Sequence, residues 1–398
     1  MEMNGVFNVT AEHSPHREII KVVGVGGGGG NALNNIIRSG VTGVEFLAVN
    51  TDMASLDLSE ASTRLILGRD LTRGHGAGAD PQVGYAAAKE SFDELKELLT
   101  GSDMVFLTAG MGGGTGTGAS PVIAELAKES GALVVAVVTM PFFWEGKRRN
   151  EQAQVGIKTL QEKVDALIVI ENDKLMEISD KNTALTDAFR VADDVLRQAV
   201  QGVTDLILRS ALINVDFADV RSVMQNAGSA IMGIGEGRGD SRAAMAAQAA
   251  INSPLMSIPM SGAKGVLFNI AGGPDVGIHE IREAARIINE ASDEDANIIW
   301  GSAIDEEMED RIKITVIATG FASYDQCRSQ NDRKVEPIKG APSAHGGKKK
   351  APSVHLEPTD LSQDDESPNM FELPGVPKDS YDVPAYLRKV RRKNKEKN

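Results

Sequence analysis

Two loops built almost wholly of glycine, each directly behind an apolar run, constrain this chain more than any other feature: VGVGGGGGNALNNII at residues 23–37 and AGMGGGTGTGAS at 109–120. A loop with so little side chain presents backbone N–H groups instead. Where it opens a helix, those groups and the helix dipole together attract anionic oxygens. Thr115 and Thr117 add hydroxyl donors. One such loop is also what a tight strand-to-helix turn needs; two facing cradles suit a di- or triphosphate.

The apolar runs themselves set the fold class. IIKVVGV, VEFLAVN, MVFLTAG, LVVAVVTM and ALIVIEN are separated by stretches that read as helices, the alternation of a parallel sheet covered on both faces. Ligands of such sheets gather at the carboxyl ends of the strands. Beyond IEND the period changes, and TDAFRVADDVLRQAVQGVTDLILRSAL reads as one long helix with Phe189, Leu196, Val203 and Ile207 on a buried stripe. AKGVLFNIAGG and RIKITVIATG then read as strands and HEIREAARIINEAS as a helix.

These changes divide the chain into a flexible arm (1–17), a nucleotide-binding domain (18–183), a central helix (184–210), a smaller α+β domain (211–321), a linker (322–375) and a C-terminal peptide with a basic tip (376–398). The linker is rich in Lys, Pro, Ser, Asp and Gly and cannot bury a core. The final YDVPAYLRKVRRKNKEKN sets an apolar patch (Val383, Ala385, Tyr386, Leu387) before a run of cations. Such a charge run is often no more than a solvated end, but the patch suits a docking peptide.

Composition narrows the function classes. A net charge of -14 and an aromatic content of 4% argue against a nucleic-acid binder, and a single cysteine, Cys327, allows no intrachain disulfide. ALVVAVVTM is far shorter than the roughly 20 residues that span a bilayer, and the first residues lack a signal-peptide core. The expectation is a cytoplasmic protein without a transmembrane segment.

Gly24, Gly26 and Gly29 have the spacing of a dinucleotide fingerprint, so a nicotinamide-dependent oxidoreductase is a competing reading. Its ribose-binding acid belongs roughly 20 residues on, and Asp52 lies later, behind an asparagine and a threonine. No Walker lysine follows either loop; candidate cations are Lys147, Arg148 and Arg149, beside Glu145. INVDFADVRSV supplies Asn214, Asp216 and Asp219 in a polar turn, with the two acids on one side of a first helical turn. Acids there also cap helices.

GGGTGTG resembles the signature loop of the tubulin superfamily. The ordered set GVGGGGGNALNNII, NTD, GAGADPQVG, PFFWEGKRR, NDKL and NVDFADV, spanning about residues 18 to 320, is similar to the FtsZ family of bacterial cell-division GTPases, and DVPAYLR resembles that family's C-terminal peptide. Departures are Trp144 for a common phenylalanine, Glu171 for a common proline, and a longer basic tip.

The resemblance implies a tubulin-like α/β fold and a GTPase that binds GTP and GDP with Mg²⁺. It places Gly27, Gly28, Gly29, Gly30, Asn31, Gly112, Gly113, Gly114, Thr115, Gly116, Thr117 and Gly118 at the phosphates and Glu145 and Arg149 near the ribose and phosphates. Asn172, Asp193 and Asp194 would read the base, with Phe189 packing nearby; a carboxylate acceptor suits the N–H donors of guanine. Asp216, Asp219 and Asn214 would serve catalysis in the neighbouring subunit's pocket, so that hydrolysis accompanies a head-to-tail homopolymer in the division ring at the future septum. The C-terminal peptide would meet membrane-tethering and regulatory proteins, and the basic tip would add a weak contact to anionic membrane. A non-hydrolysing scaffold of the same fold is a third reading, against which Asp216 and Asp219 speak.

Overall fold

A computed structural model describes residues 18–178, 184–208, 215–305 and 308–321; the expected arm, linker and C-terminal peptide, together with Asn214, lie outside the described residues. Strands β1 (Ile20–Val25), β2 (Val44–Asn50), β3 (Thr63–Ile66), β4 (Met104–Gly110), β5 (Leu133–Met140) and β6 (Ala166–Glu171) alternate with helices α1 (Gly26–Arg38), α2 (Met53–Asp57), α3 (Arg69–Thr72), α4 (Pro81–Glu90), α5 (Phe92–Leu99), α6 (Thr115–Glu129) and α7 (Lys147–Gln161). Then follow α8 (Asn172–Ile178), α9 (Leu185–Leu208), α10 (Phe217–Met224), β7 (Gly228–Arg238), α11 (Arg242–Ile251), β8 (Gly265–Gly272), α12 (Ile278–Ala291), β9 (Asn297–Ile304) and β10 (Arg311–Thr319).

All ten strands form one sheet in the order β3-β2-β1-β4-β5-β6-β7-β10-β8-β9. The first six are parallel and run 3-2-1-4-5-6, the doubly wound order whose ligand crevice opens where the winding reverses, between β1 and β4. Being covered on both faces, these strands are apolar throughout, and β5 is buried at every position. One core lies between the sheet and helices α1 and α9, a second between the sheet's other face and helices α4 to α7, and a third beneath α11 and α12. β6 and β7 pair in parallel over Ala166–Ile168, and β10 runs antiparallel to both β7 and β8.

α9 has 24 residues, so it runs roughly 36 Å along the sheet. Ala192, Leu196, Ala199 and Val203 form its buried stripe. Phe189, expected on that stripe, stands 42% exposed instead, because the first turns of α9 project past the sheet toward the end of β5. The two acids of the helix, Asp193 and Asp194, diverge likewise, being about 100° apart around the axis.

β7 was hidden from pattern reading because its inward positions are glycines. A Cβ at Gly233, Gly235 or Gly237 would lie 2.1, 2.0 and 2.0 Å from the carbonyl oxygens of Ala250, Ala246 and Arg242, so the alanine-rich α11 rests directly on the strand backbone. Backbone cannot yield as a side chain does. Gly235→Ala is therefore expected to lower unfolding stability by about 3 kcal/mol, the upper part of the usual overpacking range, measured by urea denaturation of the variant against the parent.

Candidate functional site

The two glycine loops meet at the sheet's reversal point. Val25 at the end of β1 pairs with Ala109 of β4, and each strand leads into a helix, α1 and α6. The loops touch backbone to backbone: a Cβ on Gly26 would come within 3.0 Å of the Gly116 nitrogen, and one on Gly28 within 3.2 Å of Gly110 Cα. Two helix N-termini thus converge on one crevice, each with first-turn N–H groups that no helical carbonyl can receive.

The glycines of the loops do different things. Gly27, Gly30 and Gly113 face open space, where a ligand can approach the backbone. Gly112 has φ +92° and lies against the Arg149 backbone, and its N–H donates to Thr117 Oγ1 at 2.8 Å. Gly29 packs on the Thr108 carbonyl and Gly114 on Ala77 and Asp80. Gly118 donates its N–H to the Gly114 carbonyl and packs against Pro81 and Tyr85, so that amide is spent within α6 and the residue serves the α4 contact. Asn31 is exposed on the first turns of α1.

Further residues join the crevice that loop composition did not single out. Thr51 Oγ1 lies 2.6 Å from Thr115 Oγ1, both buried, and Asn50 Oδ1 accepts from the Thr51 and Asp52 amides. This ties the end of β2 to the first turn of α6. The loop before α4 rests on Gly114, and Asp80 caps α4 through the Gln82 N–H. The motifs NTD and GAGADPQVG were the available signal. Asp52, the ribose acid of the oxidoreductase reading, is occupied in capping α2, with oxygens bonded to Ala54 N–H and Ser55 Oγ.

On the β5–β6 side the crevice is aromatic and half-dry. Phe142 stacks on Trp144 at 4.2 Å and meets the edge of Phe189 at 5.4 Å. Glu145 accepts from the Phe142 amide and pairs with Arg149 at 2.9 Å. Asn172, at the end of β6, is buried, and its Oδ1 has no hydrogen-bond partner among the described residues. An orphaned acceptor of this kind beside a cleft is a place for a ligand donor. Burial pushes the Asp193 carboxyl up to about 7. Asp194 faces elsewhere: its oxygens accept from Arg197 Nε at 2.7 Å and Gln198 Nε2 at 2.5 Å. The geometry therefore favours Asp193 over Asp194 for reading a base.

The remaining acids stand apart. Asp216 caps α10, accepting from Ala218 N–H at 3.0 Å, and Asp219 lies in the same first turn; both are exposed. Arg221 of α10 donates to the carbonyl of Asp103, the residue just before β4. The glycine loops follow the other end of β4, seven residues and roughly 23 Å away.

Residues 19–180 match the Tubulin/FtsZ family, GTPase domain, and residues 228–322 match the FtsZ family, C-terminal domain. An FtsZ dimer from M. jannaschii, solved empty, is 46% identical with a TM-score of 0.74, over 76% of this chain and 88% of that one. The chain belongs to the FtsZ family. A second M. jannaschii FtsZ structure, that of a tryptophan-to-tyrosine mutant, is 45% identical over 77% of this chain and 92% of its own, again with a TM-score of 0.74. CetZ1 from Haloferax volcanii, a GDP-bound monomer, shares the fold at 20% identity, 79% and 98% coverage and a TM-score of 0.67.

As an FtsZ-family member the chain is a tubulin-like cytoskeletal GTPase that binds GTP and GDP. The oxidoreductase reading is thereby set aside. Among the described residues no helix is long and apolar enough to cross a membrane.

The raised Asp193 carboxyl yields a pH signature. Without ligand, its ionised form is disfavoured: the penalty is absent below the unfolded value of 3.8, grows as pH rises, and is complete above about 7. At 1.36 kcal/mol per unit the cost approaches roughly 4 kcal/mol. The two N–H donors on guanine's edge are best met by both oxygens of an ionised carboxylate, whereas a neutral carboxyl or an Asn amide offers one acceptor oxygen. GDP affinity of the wild type should therefore weaken as pH falls below about 7, while Asp193→Asn should show no such slope and, empty, unfold at higher urea at pH 8. Calorimetric titrations from about pH 5.5 to 8.5, spanning the raised value on both sides, and urea denaturation at the upper end check both.

Proposed function

We propose that this FtsZ-family GTPase works as a head-to-tail filament in cell division, each catalytic site being completed by acids of the adjoining subunit. The observation that carries this reading is the separation of the two halves of the chemistry. The phosphate-facing loops lie beyond the carboxyl ends of β1 and β4, and Asp216 and Asp219 belong to the start of α10, which bonds to the chain entering β4. Neither acid can reach its own crevice without dismantling α9 and α10. A translation of one copy along the strand direction brings the acidic end of one molecule to the open crevice of the next. Such a contact is heterologous and does not close on itself, so it propagates. The M. jannaschii relative solved as a dimer supports self-association.

In this reading the γ-phosphate of GTP sits between the first turns of α1 and α6, with Thr115 and Thr117 hydroxyls and the amides around Gly113 as donors. Asn172 and Asp193 hold the guanine beside Phe189, and Glu145 with Arg149 closes the ribose side. Asp216 and Asp219 of the incoming subunit orient a water for in-line attack and accept its proton; the bond to the leaving GDP oxygen breaks and phosphate departs. Asn214 would join them. Mg²⁺ would accompany the triphosphate, held chiefly by its oxygens and by waters. When bound it neutralises charge on the phosphates.

The protein would act in the cytoplasm at the division site, its C-terminal peptide meeting tethering and regulatory proteins and its basic tip touching anionic lipid. Asp216 also caps α10, so alanine there would mix two effects, the cap alone contributing about 1 kcal/mol. Asp216→Asn retains the capping oxygen and removes the charge. It should bind GTP and sediment as polymer normally yet lose at least about 100-fold in turnover, within the usual range for a positioned acid–base group. Turnover per molecule of the parent should collapse below a threshold protein concentration; constant specific activity on dilution would contradict a shared site.

A further inference from the structure

We propose that Trp144 is a positioning residue for guanine: stacked on Phe142, it fixes the ring that in turn orients Phe189. This rests on the reading that Phe189 packs against the base, and adds the residue that sets its direction. Trp144 is also the position at which PFFWEGKRR departs from the common phenylalanine of the FtsZ family.

Phe189 needs support from outside its own helix. It is exposed on the turns of α9 that project past the sheet, and among the described residues its one aromatic contact is Phe142, 5.4 Å away between ring centroids and 87° between ring planes. An exposed side chain of this kind has several staggered rotamers open to it. Its ring adds most to affinity when one of them is selected before the ligand arrives. Contact at right angles with a ring that is itself immobile provides that selection.

Phe142 is such a ring. It is fully buried, its amide donates to Glu145 Oε1 at 2.9 Å, and the next amide, that of Phe143, donates to Asp173 Oδ1 at 3.1 Å. The second bond ties this turn to the residue beside Asn172, so the ring and the orphaned amide oxygen share an anchor. The 3₁₀ turn Phe143–Glu145 then brings residue 144 back over residue 142, where the indole lies 4.2 Å from the Phe142 ring with only 11° between their planes. Trp144 is the exposed member of this stack and Phe142 the buried one, so the indole covers a ring that would otherwise be open to water. Trp144 and Phe189 form no ring pair of their own among the described residues, which leaves Phe142 as the link between them.

Calorimetric titration of GDP into the full-length protein tests this as a double-mutant cycle. Phe189→Ala should weaken binding at least about fivefold and Trp144→Ala about fivefold, the scale of one aromatic pair. The double variant should bind no more weakly than Phe189→Ala alone, since the indole then has nothing left to orient. Trp144→Phe, which keeps a ring on Phe142, should bind within about twofold of the parent, and Trp144→Leu, which offers apolar bulk without a ring face, should not. Losses that multiply in the double variant, full affinity in Trp144→Ala or Trp144→Leu, or no recovery in Trp144→Phe overturns the positioning role. Full affinity in Phe189→Ala overturns the base-site reading beneath it, and the role with that reading.

Discussion

Contact between two bare backbones governs this molecule. Gly26 and Gly28 of the first loop lie against Gly116 and Gly110 of the second, and Gly29 lies against the Thr108 carbonyl at a distance that admits no Cβ. A single methyl at these points would push the start of α1 away from the start of α6 and spread the amides that now face one crevice. The strength of an anion site built from partial charges falls off within a helical turn, so convergence matters more than the number of donors. The Thr51–Thr115 hydroxyl pair fastens the neighbouring strand end to the same point.

The parallel sheet gives the molecule two chemically different ends. Carboxyl ends of strands lead into glycines that face open space, Gly27, Gly30 and Gly113, while the entry ends are tied by compact polar contacts such as Lys128 and the Asn226 amide on Asp165. α9 joins the ends. It begins beside Phe142, and α10, the next described helix, lies near the start of β4, so the residues proposed to read the base and the acids proposed for catalysis lie toward opposite ends of the sheet.

What could be read in advance depended on whether side chains or their absence carried the signal. β1, β2, β4, β5 and β6 were legible because strands buried on both faces must be apolar throughout, and the glycine loops because two such runs, each directly after a strand, suit one phosphate-bearing ligand better than two tight turns. β7 was not legible, since α11 replaces the side chains that would have marked it. β3 has only four residues at a sheet edge, and β9 mixes Asn, Gly and Ser with its apolar positions. Phe189 fitted the helical period of the core but lies beyond the sheet's cover, a tertiary fact that periodicity does not contain. The choice between Asp193 and Asp194 likewise waited on the Arg197 and Gln198 contacts.

The uninterrupted run of α9 makes its residue count a ruler and a protractor at once. Each residue inserted or deleted within Leu185–Leu208 would slide everything after it by about 1.5 Å and swing it by roughly 100°. Length polymorphism should thus be tolerated in surface loops of this chain but not here, because the phase of the rod decides which of its residues face the sheet.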